Sequence, residues 1–220
     1  MHLSQVKSHF WKWFQQHIND YDGFFDSSPK KMGYLLTELN MHLLAYCKYL
    51  EAIIGKDDLT GKMLLTITAN GYSRCFARAD KLVAKAPALN NWEIQALEGP
   101  RPVNYMLDMY PDVALDPNRL WFTPLKDDSG ADDRQDLQVY SELYTRDALP
   151  VFAEMIRIVL TNILGERSAG LDIGVVKLAN SSEAPRPEAL LRLEELPEFL
   201  SRRNSHQMEV SATGELRQRR

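Results

Sequence analysis

The same order of predicted elements, strand–strand–helix–strand, occurs twice along this chain of 220 residues. One copy covers residues 43–98 and the other covers residues 119–179, with a break rich in Gly and Pro at residues 99–102 between them. When each hairpin is followed in the chain by a helix and then by another strand, the strands form a sheet and the helices pack on one face of it. The sequence therefore predicts an α+β fold with a mostly antiparallel sheet. The copies share no convincing residue identity, so coincidence and internal duplication are both open explanations.

A helical pair is predicted before the first copy. Apolar residues recur at steps of three and four between Leu3 and Ile18, which is the spacing of one helix face. Gly23 follows and ends this helix. Ser28 is a favourable N-cap residue and Pro29 suits the first helical position, so a second helix begins there.

The first copy starts with an ambiguous segment. Residues 43–54 are rich in aromatic and branched side chains and lack Gly and Pro, so we interpret them as a strand, with a helix as the alternative. Alternating side chains over residues 63–68 predict a second strand, antiparallel to the first. Residues 76–86 have helical spacing and are followed by Pro87, which ends the helix. Residues 92–96 alternate in a third strand.

The second copy follows the same order. Strands are predicted over residues 119–125 and 137–143. Residues 151–164 have helical spacing, and Gly165 can cap that helix. Residues 171–178 form the returning strand.

The C-terminal part differs from both copies. Residues 181–187 have the composition of a linker, and residues 193–200 are a short helical candidate. Residues 201–220 are polar and contain five arginines: Arg202, Arg203, Arg217, Arg219 and Arg220. We therefore expect a single α+β domain over residues 1–200 and a flexible basic tail over residues 201–220.

Composition indicates an ordinary globular protein. Hydrophobic residues make up 45% of the chain and charged residues 25%. The net charge is −4 and the sequence pI is about 5.8, so we expect no general affinity for nucleic acid or for an anionic membrane. Residues 1–18 mix lysine and histidine among aromatic side chains and so differ from a signal peptide. No apolar stretch approaches the roughly 18 residues that span a bilayer, and we expect a cytoplasmic protein.

Cysteine and metal chemistry are weakly indicated. Cys47 and Cys75 are too few for a disulfide framework, and we expect each to be a small buried side chain. His9 and His17 are eight residues apart, too far to share an ion on one helix. The loop over residues 126–136 contains five aspartates whose spacing departs from the EF-hand pattern, so we interpret it as solvated. They are Asp127, Asp128, Asp132, Asp133 and Asp136. We expect no metal and no cofactor.

The sequence contains no recognisable catalytic motif. The chain has no GxGxxG, P-loop, GxSxG or HExxH motif, so whether it is an enzyme stays open, with a non-enzyme favoured. His42, Glu51, Arg74 and Glu166 lie near predicted element ends, where binding sites often form. Trp11 falls off the main apolar stripe of the first helix, so it is either exposed at an interface or buried by the second helix.

Several phrases resemble an uncharacterised group of bacterial cytosolic proteins. In the first half these are FWKWF (residues 10–14), LTITANG (65–71) and KLVAKAP (81–87) with Trp92-Glu93. In the second half they are LTNILGE (160–166), Ile173-Gly174 and LEELP (193–197). The resemblance covers about residues 10–200. It implies a bacterial, soluble α+β protein. No activity, cofactor or catalytic residue is established for the group, so none is assigned to this chain from the resemblance.

Two functional hypotheses follow from these observations. The first is a non-catalytic interaction or regulatory module, as a homo-oligomer or with another protein, because the surplus aromatic residues and sheet segments can supply an interface. The second is a small-molecule-binding protein or hydrolase with a site at a sheet end. Its candidate residues are His42, Glu51, Arg74 and Glu166.

Overall fold

The computed structural model describes residues 3–57, 59–102, 116–125, 133–185, 189–210 and 216–218. The chain divides into two compact units, unit 1 over Met1–Gly99 and unit 2 over Pro100–Arg220, each with its own hydrophobic core. The described residues contain five α-helices and two mixed sheets, of three and four strands. The predicted α+β class and the N-terminal helical pair are therefore confirmed. One domain over residues 1–200 stays a prediction.

Unit 1 consists of a helical pair followed by a three-stranded sheet and one further helix. In chain order its elements are α1 (Leu3–Asp22), α2 (Pro29–Leu44), β1 (Glu51–Lys56), β2 (Met63–Thr68), α3 (Phe76–Val83) and β3 (Trp92–Ala96). The sheet order is β1-β2-β3, with β1 antiparallel and β3 parallel to β2.

Unit 2 contains the four-stranded sheet. Its described elements are β4 (Trp121–Pro124), β5 (Gln135–Ser141), α4 (Leu149–Leu171), β6 (Ile173–Asn180), β7 (Leu191–Arg192), α5 (Leu196–Gln207), β8 (Met208–Val210) and β9 (Leu216–Gln218). The sheet order is β6-β5-β4-β7, with β6 parallel to β5 and the other neighbours antiparallel. β8 and β9 form a separate antiparallel pair.

The repeated order of elements is a repeated topology. In each unit an antiparallel hairpin leads into a helix, and a third strand then returns parallel to the second. The series is β1-β2-α3-β3 in unit 1 and β4-β5-α4-β6 in unit 2. A parallel return needs such a crossover, because the chain must travel back to the end where the second strand began. The repeated topology is compatible with coincidence and with internal duplication, so it does not decide between them.

The core of unit 1 is aromatic. Phe14 on α1 is 0% exposed, and its ring lies 5.4 Å from the ring of Tyr21 and 5.4 Å from that of Trp92. The Tyr21 hydroxyl donates a hydrogen bond to the Leu35 carbonyl at 3.0 Å, and the Trp92 indole N–H donates to Asp22 at 2.7 Å. These contacts join α1 to α2 and to the sheet.

The predicted strand over residues 43–54 is wrong in its first half. α2 continues to Leu44, and β1 begins only at Glu51. Buried leucines at steps of four along α2 explain the difference, because Leu35, Leu39 and Leu43 all pack on the core of unit 1. This packing outweighs the strand preference of the aromatic and branched residues that follow. Ser28 and Pro29 begin α2 as predicted, and the Ser28 hydroxyl accepts from the Lys31 backbone N–H.

Trp11 is buried, which excludes the alternative of an exposed interface residue. Its side chain is 3% exposed, and its indole N–H donates to the Leu82 carbonyl at 2.8 Å. Leu82 lies in the last turn of α3, and its carbonyl also accepts from the Lys85 N–H at 3.0 Å. A buried indole needs such an acceptor for its N–H.

Two helices run further than predicted. Gly165 has φ 76° and ψ 155°, a conformation nearly restricted to glycine, but helical residues resume after it and α4 ends at Leu171. α5 continues past Leu200 to Gln207, into the segment where we expected the tail. Flexibility of the remaining tail stays a prediction.

One segment of unit 2 is long and apolar enough to cross a membrane by length and composition alone. It is Arg146–Leu171, which contains α4. A single helix of this kind does not distinguish a membrane span from the core helix of a soluble protein, and 39% of its apolar window is buried. The cytoplasmic location stays a prediction.

Candidate functional site

Two loops of unit 1 leave the sheet from the same edge. The register of the first hairpin places Glu51, the first residue of β1, opposite Thr68, the last residue of β2. Residues 45–50 lead into β1 there, and residues 69–75 leave β2 there. This is also the carboxyl end of β2, which pairs in parallel with β3. The carboxyl ends of parallel strands are the usual position of binding sites in such sheets.

A tight turn brings the second loop back over this edge. Asn70 and Gly71 have φ values of 51° and 77°, so two successive residues lie in the left-handed region that Asn and Gly tolerate best. The Tyr72 N–H then donates to the Ala69 carbonyl at 2.9 Å, and the Cys75 N–H donates to the Tyr72 carbonyl at 2.7 Å. The turn therefore fixes the residues from Tyr72 to Cys75.

The surface of this edge carries a tyrosine–arginine cluster, defined by Lys48, Tyr49, Tyr72 and Arg74. The two tyrosine rings lie 5.2 Å apart. The Arg74 guanidinium lies 4.9 Å from the centre of the Tyr49 ring and 5.7 Å from that of Tyr72, and the Lys48 ammonium lies 5.0 Å from Tyr49. Arg74 and Tyr72 are exposed. Both cations thus contact aromatic faces in the geometry of cation–π interactions.

Beneath this surface lies a thiol pair, Cys47 and Cys75. Both are free thiols, with residue exposures of 4% and 3%, and they lie close enough for each to shift the pKa of the other. The Arg78 guanidinium on α3 donates to the Cys47 sulfur at 3.5 Å. The Tyr46 hydroxyl donates to the Arg78 carbonyl at 3.1 Å, which joins the loop before β1 to α3.

The surroundings of the two thiols shift their pKa values in opposite directions. Burial alone would raise the pKa of the Cys47 thiol, but hydrogen bonds from the Tyr49 backbone, Arg78 and Cys75 together lower that pKa below its ordinary value. Burial raises the pKa of Cys75, and the negative charge of the neighbouring Cys47 thiolate raises it further. Cys47 is therefore the member of the pair that loses its proton first.

The five residues singled out in the sequence lie in different surroundings. Arg74 belongs to the tyrosine–arginine cluster, and Glu51 is an exposed residue at the same sheet edge. Trp11 is in the core of unit 1, and Glu166 is buried in unit 2, directly after the break in α4. His42 packs against α1. A hydrolase or small-molecule site built from these residues stays a prediction.

His42 is stacked on Trp13. The two ring centroids are 3.7 Å apart with planes at 22°. Burial lowers the pKa of His42 from its usual 6.5, His9 and His17 lower it further, and Glu38 opposes them. The imidazole is therefore held in its neutral form, which suits stacking on an indole ring.

The stability of the protein is expected to fall at low pH, because protonation of His42 is less favourable in the folded protein than in the unfolded chain. Because the pKa of His42 is lower in the folded state, the unfolded chain binds the proton first, and stability decreases as the pH falls below 6.5. We expect the melting temperature to drop between about pH 7.5 and about pH 5.5, and to drop less in His42→Phe, which keeps the stack. An equal drop in both proteins would contradict this role of His42.

Within the part of the chain that the structure describes, no cluster of side chains supports metal binding. No group of three His, Cys, Asp or Glu side chains there is arranged to hold an ion. Asp127, Asp128 and Asp132 of the acidic loop lie outside the described residues. Asp136 accepts a hydrogen bond from the Val175 N–H at 2.6 Å, which joins β5 to β6.

An open hollow of about 670 Å³ lies on unit 2. Its lining is formed by Trp121, Leu190, Arg192, Glu194 and Glu195. The Arg192 guanidinium contacts Glu194 at 3.3 Å, and the Arg192 N–H donates to Glu195 at 2.8 Å. The charged groups of the hollow thus pair with one another, which makes it a weaker site than the edge of unit 1.

The proximity of Cys47 and Cys75 was not predicted from the sequence, although their positions beside two paired strands indicate it. Cys47 precedes β1 by four residues, and Cys75 follows β2 by seven. In an antiparallel hairpin, the segments before the first strand and after the second lie side by side. The incorrect strand over residues 43–54 placed Cys47 inside the sheet and so concealed this proximity.

Comparisons with protein-family models, with curated proteins and with solved structures found no match for this chain. The resemblance to a bacterial group stays a prediction. The contacts within the chain therefore carry the functional argument.

Proposed function

We propose that this protein is a non-catalytic interaction module that binds an acidic segment of a partner protein through the tyrosine–arginine cluster. The observation that supports this most is the placement of the Arg74 guanidinium against two tyrosine rings at the surface of unit 1. Tyrosine and arginine are the residue types most enriched, with tryptophan, among those that dominate binding energy at interfaces.

Preorganisation makes the cluster suited to binding. A free arginine loses rotamer freedom when a partner immobilises it, at a cost of about 0.5–1.5 kcal/mol for a flexible side chain. Contact with Tyr49 and Tyr72 already restricts Arg74 before a partner arrives. A guanidinium so held can donate two parallel hydrogen bonds to one carboxylate.

Local charge favours an acidic partner. Lys48 and Arg74 both contact the ring of Tyr49, and Arg78 lies on the same sheet edge through its contact with Cys47. The chain as a whole carries a net charge of −4, whereas these three cations are accompanied at this sheet edge by the exposed carboxylate of Glu51 and so leave a local excess of positive charge. Such a local field attracts carboxylates and orients their approach.

A peptide selection tests this function. Random peptides displayed on phage are selected against the full chain, and a synthetic copy of an enriched peptide is titrated by fluorescence anisotropy. We expect enriched peptides to contain clustered Asp and Glu, and the double variant Tyr72→Ala/Arg74→Ala to weaken binding by roughly tenfold or more. Arg74→Lys is expected to give an intermediate loss, because lysine keeps the charge and loses the planar fork.

The matched control is Leu59→Ala. Leu59 is 97% exposed in the turn between β1 and β2, at the opposite end of the hairpin. This variant is expected to bind the peptide as the unchanged chain does. Selected peptides without acidic residues, or equal binding by the double variant and the control, would overturn the proposal.

A second exposed surface bears on self-association. Tyr34, Met41 and Leu44 are 64%, 67% and 59% exposed and lie along one side of α2. Their spacing of seven and three residues is typical of helix-pairing faces. The homo-oligomer expected from the sequence stays a prediction, which light scattering of the full chain decides.

A further inference from the structure

The thiol pair has the parts of a two-cysteine oxidation site. Cys47 lies in the loop after α2, and Cys75 ends the short 3-10 turn before α3. The residues are 28 positions apart in the sequence, yet both lie in the core of unit 1, and the Cys47 sulfur contacts Arg78 of α3, the helix that directly follows Cys75. Neither is in a disulfide. The two loops therefore bring both thiols to the start of α3.

The two cysteines have different surroundings, which assigns them different roles. Cys47 accepts hydrogen bonds from the Arg78 guanidinium and from the Tyr49 backbone N–H, and both stabilise a thiolate. Cys75 stays protonated, because burial and the neighbouring Cys47 both raise its pKa. A thiolate beside a protonated second thiol is the arrangement in which the first attacks an oxidant and the second resolves the product.

Access to the pair is through Arg78. Both cysteines are nearly fully buried, but Arg78 is exposed, and its guanidinium contacts the Cys47 sulfur directly. The exposed Arg78 side chain thus reaches the Cys47 sulfur from the solvent side. This favours an oxidant the size of a water molecule and disfavours a bulky disulfide reagent.

We infer that Cys47 and Cys75 form a dithiol oxidation site at which hydrogen peroxide produces a reversible intramolecular disulfide. The Cys47 thiolate attacks one peroxide oxygen, the O–O bond breaks, and the released hydroxide takes a proton to become water. This leaves a sulfenic acid on Cys47. The Cys75 sulfur then attacks the Cys47 sulfur, the S–O bond breaks, and hydroxide leaves with the Cys75 proton as a second water. Two thiols are thereby oxidised and one peroxide is reduced to two waters.

This assignment does not depend on what the tyrosine–arginine cluster binds. The disulfide would nevertheless join the two loops that carry that cluster, since Tyr49 follows Cys47 by two residues and Arg74 precedes Cys75 directly.

The test is oxidation of the reduced full chain by hydrogen peroxide in a buffer containing a metal chelator. Remaining thiols are alkylated, and peptides are mapped without reductant. We expect the alkylated thiols to fall from two to none, a single peptide pair joined through Cys47 and Cys75, and full recovery of both thiols with dithiothreitol. Two thiols that persist while glutathione in the same tube is consumed, or disulfides between chains, would overturn the inference.

Three variants separate the roles of the residues. In Cys75→Ser, dimedone is expected to trap a sulfenic acid on Cys47, and its absence would contradict the assigned order of attack. Arg78→Gln is expected to slow oxidation by roughly tenfold with the same final disulfide, because a charged hydrogen bond to the thiolate is lost. Lys81→Gln, an exposed cation on the same helix, is the control and is expected to leave the rate unchanged. Equal rates in these two variants would contradict the role of Arg78.

Discussion

Replacing Phe14 by alanine is expected to lower the free energy of unfolding of unit 1 by about 3–5 kcal/mol. Phe14 is fully buried, and its ring contacts those of Trp11, Tyr21 and Trp92 at centroid distances of 6.1, 5.4 and 5.4 Å. Removing it leaves a cavity that rigid aromatic neighbours cannot fill. The loss is large because the ring fills the contact between α1 and β3.

Tryptophan fluorescence during urea unfolding measures this loss. Trp11, Trp13 and Trp92 lie in unit 1, and Trp121 lies in unit 2, so a Trp121→Phe background reports on unit 1 alone. Phe25→Ala is the control, because Phe25 is 50% exposed. It is expected to cost less than about 1 kcal/mol, as surface substitutions usually do. Equal losses in Phe14→Ala and Phe25→Ala would show that the aromatic core does not stabilise unit 1 as described.

Oxidation of the thiol pair is expected to stabilise unit 1 by about 3–4 kcal/mol. The disulfide would close a loop from residue 47 to residue 75, which contains all of β1 and β2. In the chain-entropy description, the gain comes from restricting the unfolded chain, and strain in the folded state reduces it. The Cys47 sulfur already contacts Arg78 of α3, the helix that directly follows Cys75, so the two loops are held near each other before the bond forms.

Urea unfolding of the oxidised and reduced chains, in the same Trp121→Phe background, measures the gain. Peroxide-treated Cys75→Ser is the matched control, because its single remaining cysteine cannot close the loop. An oxidised chain no more stable than the reduced chain would contradict a strain-free disulfide between these loops.

The fold class was predictable because its signals are local. Alternation over residues 63–68 and 92–96 and helical spacing in α1 and α4 each specify an element within a short window. The capping residues Ser28 and Pro29 marked the start of α2 equally well. Two copies of one element order then indicated two similar α+β parts, which the topology bears out.

The site was less predictable because it depends on contacts between distant segments. Residues 43–50 have strand-like composition, and only the packing of Leu43 on the core of unit 1 shows that α2 continues to Leu44. Trp11 falls off the apolar stripe, and only the Leu82 carbonyl shows that it is buried. Arg74 was singled out for its position near an element end. Its tyrosine partners belong to two loops whose proximity requires the register of the hairpin.

An NMR titration of the isotope-labelled full chain with a selected acidic peptide locates the binding surface. We expect the largest amide shift changes in residues 46–50 and 69–78, which carry the tyrosine–arginine cluster and the thiol pair. Changes centred on Tyr34 and Met41 of α2, or on the hollow of unit 2 around Arg192, would contradict this expectation.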